Sequence, residues 1–292
     1  MIKSILFFAT LLTAFSLSAQ EKPLAKVHYN FKHVNDTNQR DQPIRDEVVT
    51  YLGQHSTYYT SYSNSRVSEE IKKIQSSAGF DGNIKLTKSA SPISRYILLN
   101  TNDKSLKEIP RVAMDYFILD TKFPEQDWEI QEETKVIGGY TCQKATTDFK
   151  GRHYTAWFTT ELPFPYGPWK LHGLPGLILS ASDDKNEVSF EYEGFDKMPE
   201  DTDIKIEFPM GAIESTEEHI LKLQKAYEAN PQAYMQSKIG STTRSGAKIT
   251  NIVVGARASS SSSASGIKSV SVTSDPNYKP SKITNNPIEL KP

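Results

Sequence analysis

Runs of strand length in which apolar and polar residues alternate, joined by short glycine turns, constrain this chain more than any other feature. In Leu24 to Val34, Ala25, Val27, Tyr29 and Phe31 fall on one face, and Lys26, His28, Asn30 and Lys32 on the other. A period of two marks a strand with one face in a core. Thr134 to Ile137 and Tyr140 to Phe149 meet at Gly138-Gly139, and Lys150-Gly151 separates the second run from His153 to Thr159. In that last run Tyr154, Ala156 and Phe158 alternate with Thr155 and Trp157. A two-residue connection carrying glycine signals a hairpin, because its tight turn needs positive φ. Many strands at short spacing with few helices predict a mainly β fold with minor α. The expected architecture is an antiparallel curved sheet or half-open β-barrel with one or two helices on its C-terminal side.

Other segments fill in that plan. Val48 to Leu52 and His55 to Tyr62 read as strands around a Gly53-Gln54 turn, rich in the threonine and tyrosine that suit a pleated surface. Apolar runs recur at Arg95 to Leu99 and Val112 to Leu119, and Ser68 to Gln75 reads as a short surface helix. Leu177 to Ser182 and Glu187 to Phe195 pair across Asp183-Asp184-Lys185-Asn186, read as a solvated hairpin, and Ile204 to Phe208 reads as a final strand. Ser215 begins a capping-box pattern with Glu218 three residues on. Ile220, Leu223 and Tyr227 then share one helical face, and Asn230-Pro231 ends this helix and opens a second through Met235.

The first residues read as an export signal. Lys3 precedes an apolar stretch from Ile5 to Phe15, followed by small residues around Ala19 and Gln20. That stretch is shorter than the roughly 20 apolar residues a membrane-spanning helix needs. No cysteine stands at the cleavage region to take a lipid. The chain divides into a signal peptide over 1–20, one β-rich domain over 21–255 and a tail over 256–292. The unbroken serine run Ser259 to Ser263 predicts a flexible segment from Ala256 to Lys282, since it offers little apolar surface against the entropy of ordering. Removing Lys3 from the 34 basic residues leaves 33 against 35 acidic ones, a net charge of −2. That balance argues against a nucleic-acid partner. Cys142 is the only cysteine, so no internal disulfide forms.

The segment Leu162 to Ile178 stands apart, with prolines at 163, 165, 168 and 175 and the hexapeptide Gly173-Leu174-Pro175-Gly176-Leu177-Ile178. Pro175 and Gly176 suit the two central positions of a type II turn between Leu174 and Leu177. Nothing in the hexapeptide transfers a proton, attacks a carbonyl or holds a metal. It reads as a structural turn or as a binding lip. Tyr166, Trp169 and His172 precede it on the proline-rich loop. Either they line the mouth of an apolar cavity, or Trp169 plugs one end of the barrel.

The hexapeptide resembles the signature of the GLPGLI family, exported proteins of the Bacteroidota. The resemblance extends to Ile137-Gly138-Gly139-Tyr140-Thr141-Cys142-Gln143-Lys144-Ala145, to Trp157-Phe158-Thr159 and to Asn286-Pro287-Ile288-Glu289-Leu290 near the chain end. The serine-rich insert departs from the pattern. The resemblance implies a periplasmic or outer-membrane-associated protein working beside TonB-dependent transport systems, with no defined chemistry.

The residue inventory agrees with a non-enzymatic protein. Cys142 and His172 lack the spacing of a nucleophile pair, and Cys142 falls in a strand pattern where a buried, inert thiol is the usual outcome. The histidines form no pair at i, i+4 on a helix, and Asp183-Asp184 lacks calcium-loop spacing, so no metal and no cofactor are expected. Two functions remain. One is a periplasmic binding or accessory protein with an outer-membrane transporter or envelope protein as partner; the other is a periplasmic carrier of a lipid or other apolar ligand in the half-open barrel. The expected binding residues in both are Tyr166, Trp169, His172, Gly173, Leu174, Pro175 and Gly176.

Overall fold

A computed structural model describes residues 21–63, 66, 71, 73–87, 93–242, 269–273 and 278–291. The expected signal peptide and the serine run lie outside them. The chain is mainly β. Its strands are β1 Ala25–His33, β2 Ile44–Leu52, β3 Ser56–Ser61, β4 Asn83–Thr87, β5 Arg95–Asn100, β6 Ser105–Val112 and β7 Asp115–Thr121. Then follow β8 Glu129–Ile137, β9 Tyr140–Phe149, β10 Arg152–Thr159, β11 Leu177–Asp183, β12 Val188–Lys197, β13 Ile213–Glu214 and β14 Ser269–Thr273. Two helices, α1 Glu217–Ala229 and α2 Pro231–Thr242, follow β13.

Twelve strands form one open sheet in the order β13-β7-β6-β5-β3-β2-β1-β12-β11-β10-β9-β8. Two antiparallel meanders are stitched together where β1 pairs with β12. The sheet must be rolled. Nine strands lie between β7 and β8, which in a flat sheet would hold them on the order of 48 Å apart. The seven residues 122–128 that join them reach at most roughly 25 to 29 Å. Curling brings the two margins within reach and encloses an interior.

The alternation in β1 acts as expected: Ala25, Val27, Tyr29 and Phe31 are buried in the main core, with Tyr154, Ala156 and Phe158 of β10. At the β8–β9 turn Gly138 and Gly139 take φ of 59° and 89°, and at the β9–β10 turn Lys150 and Gly151 take 51° and 82°. Both are the paired positive-φ geometry that matches strand twist. Trp157 is half-buried at the margin of the core, and Lys135 sits 4.2 Å from its ring centroid.

Several expectations change. The run Val112 to Leu119 is not one strand: it straddles the β6–β7 hairpin, where Ala113 takes φ 55° without help from glycine. Ile204 to Phe208 makes only an isolated bridge between Ile206 and Glu21. The helix cap shifts by one residue. Thr216 accepts from the His219 backbone N–H, while Ser215 bonds the His219 ring at 2.9 Å. The second helix continues past Met235 to Thr242. Of the helix expected over Ser68 to Gln75, only residues 71 and 73–75 are described, and they are helical. Asp183 is not solvated: it is buried, accepts from the Glu187 and Val188 backbone N–H groups, and meets Arg152 at 2.6 Å. Asp184 does face solvent.

The segment read as flexible carries order where it is described. β14 pairs in parallel with β4, and the chain from Tyr278 to Lys291 lies along the body as a strap. Hydrogen bonds hold this strap in place of apolar burial, which is why its composition suggested a free tail. Ser281 donates to Asp36 at 2.8 Å, Asn285 donates to Asp36 at 2.9 Å, and Asn286 donates to Val34 O at 2.8 Å. Arg152, itself buried, donates to Asn286 Oδ1, Pro287 O and Ile288 O at 2.8, 2.7 and 2.9 Å.

Candidate functional site

The loop between β10 and β11 occupies much of the enclosed interior. Prolines set its path. The amides of Phe164, Tyr166 and Gly176 donate to the carbonyls two residues back, at 2.8, 2.7 and 2.8 Å, forming a tight turn over Pro163, Pro165 and Pro175. The expected type II turn is therefore absent. Gly176 has φ 159°, far from the value such a turn needs, and the Leu177 amide bonds Leu162 O at 3.0 Å instead of Leu174. Gly176 is required for a different reason: a Cβ there would lie 2.1 Å from Thr159 O. The loop closes on itself where Gly173 N–H meets Pro165 O at 3.0 Å. Leu171 and Leu174, each 1% exposed, contribute roughly 1.5–3 kcal/mol apiece by burial.

The seven expected binding residues separate in space. Tyr166 is buried, with its hydroxyl 3.2 Å from Thr101 Oγ1 and 3.3 Å from Gln54 O. His172 is tied to the segment 122–128: its ring nitrogen meets Pro124 O at 2.7 Å, its amide meets Gln126 at 3.1 Å, and its carbonyl accepts from Trp128 at 2.8 Å. Burial lowers the His172 pKa and keeps the ring neutral. Gly173 and Pro175 are exposed, whereas Leu174 and Gly176 are buried. Of the seven, Trp169 lines the cavity under the strap. It also lies buried against Phe149 and Tyr154, with ring centroids 5.6 and 6.4 Å away. It thus plugs the interior and forms a cavity wall at once.

Trp169 takes φ 57°, a left-handed conformation that costs a bulky residue roughly 1–2 kcal/mol. That strain sets Trp169 and Lys170 side by side at the cavity. The cavity is half-open, has a volume of about 350 Å3, and lies between β5, β6, the loop and the strap. Such a volume is at the lower end for small-molecule pockets. Phe31, Tyr59, Ile97 and Ile288 give it apolar walls, and Arg95, Glu108, Lys170 and Glu289 give it charge.

These charges form one alternating chain. Glu217 of α1 pairs with Arg95, and Arg95 pairs with Glu108 at 3.0 Å. Glu108 pairs with Lys170 at 2.6 Å, Lys170 pairs with Glu289, and Glu289 pairs with Lys150 at 3.5 Å. Burial acts to raise the Glu108 pKa, but Lys170 and Arg95 hold it below the usual range. The Lys170 side chain is only 6% exposed and that of Glu289 is 26% exposed, so the strap carboxylate is the more accessible partner. Sequence reading found Trp169 through its aromaticity and missed Lys170, Arg95, Glu108 and Glu289. The only local signal was a lysine inside a proline-aromatic segment.

Cys142 faces the core from β9, and burial raises its pKa. Among the described residues, no group of three or more His, Cys, Asp or Glu side chains is placed to hold a metal. No described helix is long and apolar enough to cross a membrane.

A family model described as the N-glycanase peptide, N-terminal domain (PNGase F-II), matches residues 58–202, from β3 to just past β12. Two solved structures of PNGF-II, in space groups P21 and C2, are each 14% identical with TM-scores of 0.47. They match 69% and 68% of this chain, which spans only 33% and 32% of theirs. No curated protein sequence matches significantly.

Proposed function

We infer that the protein is a non-enzymatic binding or accessory module of the cell envelope, a GLPGLI-type protein whose partner is an outer-membrane TonB-dependent transport system. One observation carries this reading: most of the interior of the rolled sheet is occupied by the chain's own loop. A lipid carrier would keep that space open as a continuous apolar chamber. Here Tyr166, Leu171 and Leu174 fill it. The match of residues 58–202 to a model of an N-terminal domain agrees with a module that works beside another unit. N-glycanase activity is not carried over with it. The export-signal pattern of residues 1–20 and the family resemblance support a periplasmic location.

Mild crosslinking of tagged mature protein in its native envelope, followed by identification of co-purified proteins and lipids, tests the reading. Stoichiometric recovery of one outer-membrane transporter is expected. Recovery of lipid or lipidated protein without a membrane partner would overturn it in favour of the carrier.

A further inference from the structure

The cavity beneath the strap has a composition that selects one class of ligand. Its walls accept a short apolar body, and its deepest cation, Lys170, is shared between two carboxylates that differ in kind. Glu108 is fixed on β6, largely buried, and also paired with Arg95. Glu289 comes from the strap, two residues from the last described one, is more exposed, and has Lys150 as a second partner.

We propose that this cavity is a binding site for a small amphipathic carboxylate, whose acid group replaces Glu289 at Lys170 while its apolar body lies against Trp169, Phe31 and Ile97. Glu289 is then a built-in stand-in for the ligand's acid group, and its side chain leaves Lys170 for Lys150 when ligand enters.

The charge pattern supports an anion over the alternatives. When a carboxylate takes the place of Glu289, Lys170 keeps two anionic partners, Glu108 keeps Arg95, and Glu289 keeps Lys150. No charge is left unpaired in a poorly solvated place, where it would cost several kcal/mol. A cationic ligand either takes Glu108 from Lys170 or Arg95, which weakens a buried pair, or stays with Glu289 at the more exposed rim, away from Lys170. A neutral ligand gains the apolar walls but nothing at Lys170. The left-handed Trp169 fits the same site, because that strained turn brings the indole wall and the Lys170 stem together, with Nζ 5.6 Å from the ring centroid. Backbone strain of this kind persists where surrounding structure enforces it, and it clusters at ligand sites.

The site goes beyond the partner reading and does not depend on it. Calorimetric titration of the full mature chain with octanoate, octylamine and octanol tests it. Octanoate is expected to bind saturably, one per chain, and at least tenfold more tightly than the amine or the alcohol. Glu289→Gln removes the competing charge and is expected to tighten octanoate binding by about tenfold, the effect of one charged hydrogen bond. The Glu108→Gln, Lys170→Gln double variant keeps the buried pair neutral and is expected to lose the preference for acid over alcohol. If that variant does not fold, the Glu289→Gln comparison still decides. Failure of octanoate to bind both the wild-type and Glu289→Gln proteins, equal binding of the amine, or an unchanged affinity in Glu289→Gln each overturns the proposal. Crosslinking with the Glu289→Gln protein separates the two readings: partner recovery without octanoate binding rejects the ligand site alone.

Discussion

Around Trp169 the loop, β6, the strap and the β9–β10 turn are joined by buried and half-buried ion pairs over one continuous core. Along the β6–β7 margin, α1 and α2 rest on the sheet through Ile220 and Tyr234, which pack with Val112, Phe117 and Leu119. Nearly every other side chain described in those helices faces water. The first region buries segments distant in sequence against one another, and the second lays a helical hairpin over a sheet margin. Removal of one group should therefore unfold the first region and only loosen the second.

The largest test of that contrast is Gly176→Ala. Its methyl cannot fit beside Thr159 O, so the expected destabilisation exceeds about 4 kcal/mol, read as a collapse of the urea midpoint or of soluble yield. A midpoint close to wild type would show that the loop can back away from β10. Next comes Arg152→Met, which leaves the buried Asp183 without its cation and frees three strap acceptors. The expected cost is about 4 kcal/mol, with early proteolytic clipping of residues 281–291.

In the helical region Ile220→Ala should cost about 3 kcal/mol but locally. Hydrogen exchange in α1 and α2 is expected to rise while amides of β9 to β11 keep their protection. Loss of protection in both places would erase the distinction. Acid should act on the strap first. Burial works to raise the Glu187 pKa, but hydrogen bonds from Arg40, Asn286 and Arg152 hold it below the usual range, and Glu108 is likewise lowered. Groups with depressed folded values contribute fully above the unfolded carboxylate pKa of about 4.3, and this stability is lost as pH falls through the folded values. Amide exchange of residues 281–291 should therefore accelerate below about pH 4.3, before that of β9 to β11; simultaneous loss would mean the strap is not separately held. Smallest is Thr216→Ala, which removes the α1 cap at about 1 kcal/mol and should shift the exchange of the first helical turn alone.

Much of the sheet was legible in the sequence because its signals are local. β1 and β9 to β12 follow from alternation and from glycine pairs whose φ no other residue adopts as easily. The β6–β7 hairpin was not legible, because Ala113 turns the chain without glycine or asparagine. The parallel pairing of β4 with β14 joins residues far apart, and no local pattern encodes that register. Pro175-Gly176 was read as a type II turn from its own chemistry, but the partner of the Leu177 amide is Leu162, outside the hexapeptide. The site was the least legible part for the same reason. Its charges come from α1, β5, β6, the loop, the strap and a hairpin turn, and each alone resembles a solvated surface residue. Asp183 resembles a solvated turn residue in the same way, because no local pattern encodes the Arg152 beside it.

The seam between β1 and β12 sets an order on folding. Val27 pairs with Phe195, and His33 with Val188, so the centre of the sheet closes only after residues almost two hundred positions into the chain are available. Pairing at such separation requires loop closure before any contact repays it, and topologies of this kind fold slowly. Until then β1 presents an open edge able to pair with other chains. A nascent molecule emerging N-terminus first thus passes through a half-sheet stage, and the strap, bonding back to Asn35 and Asp36, is the last piece to latch. The yield of the folded protein should therefore depend on chain concentration during refolding, even though the finished molecule has its seam fully covered.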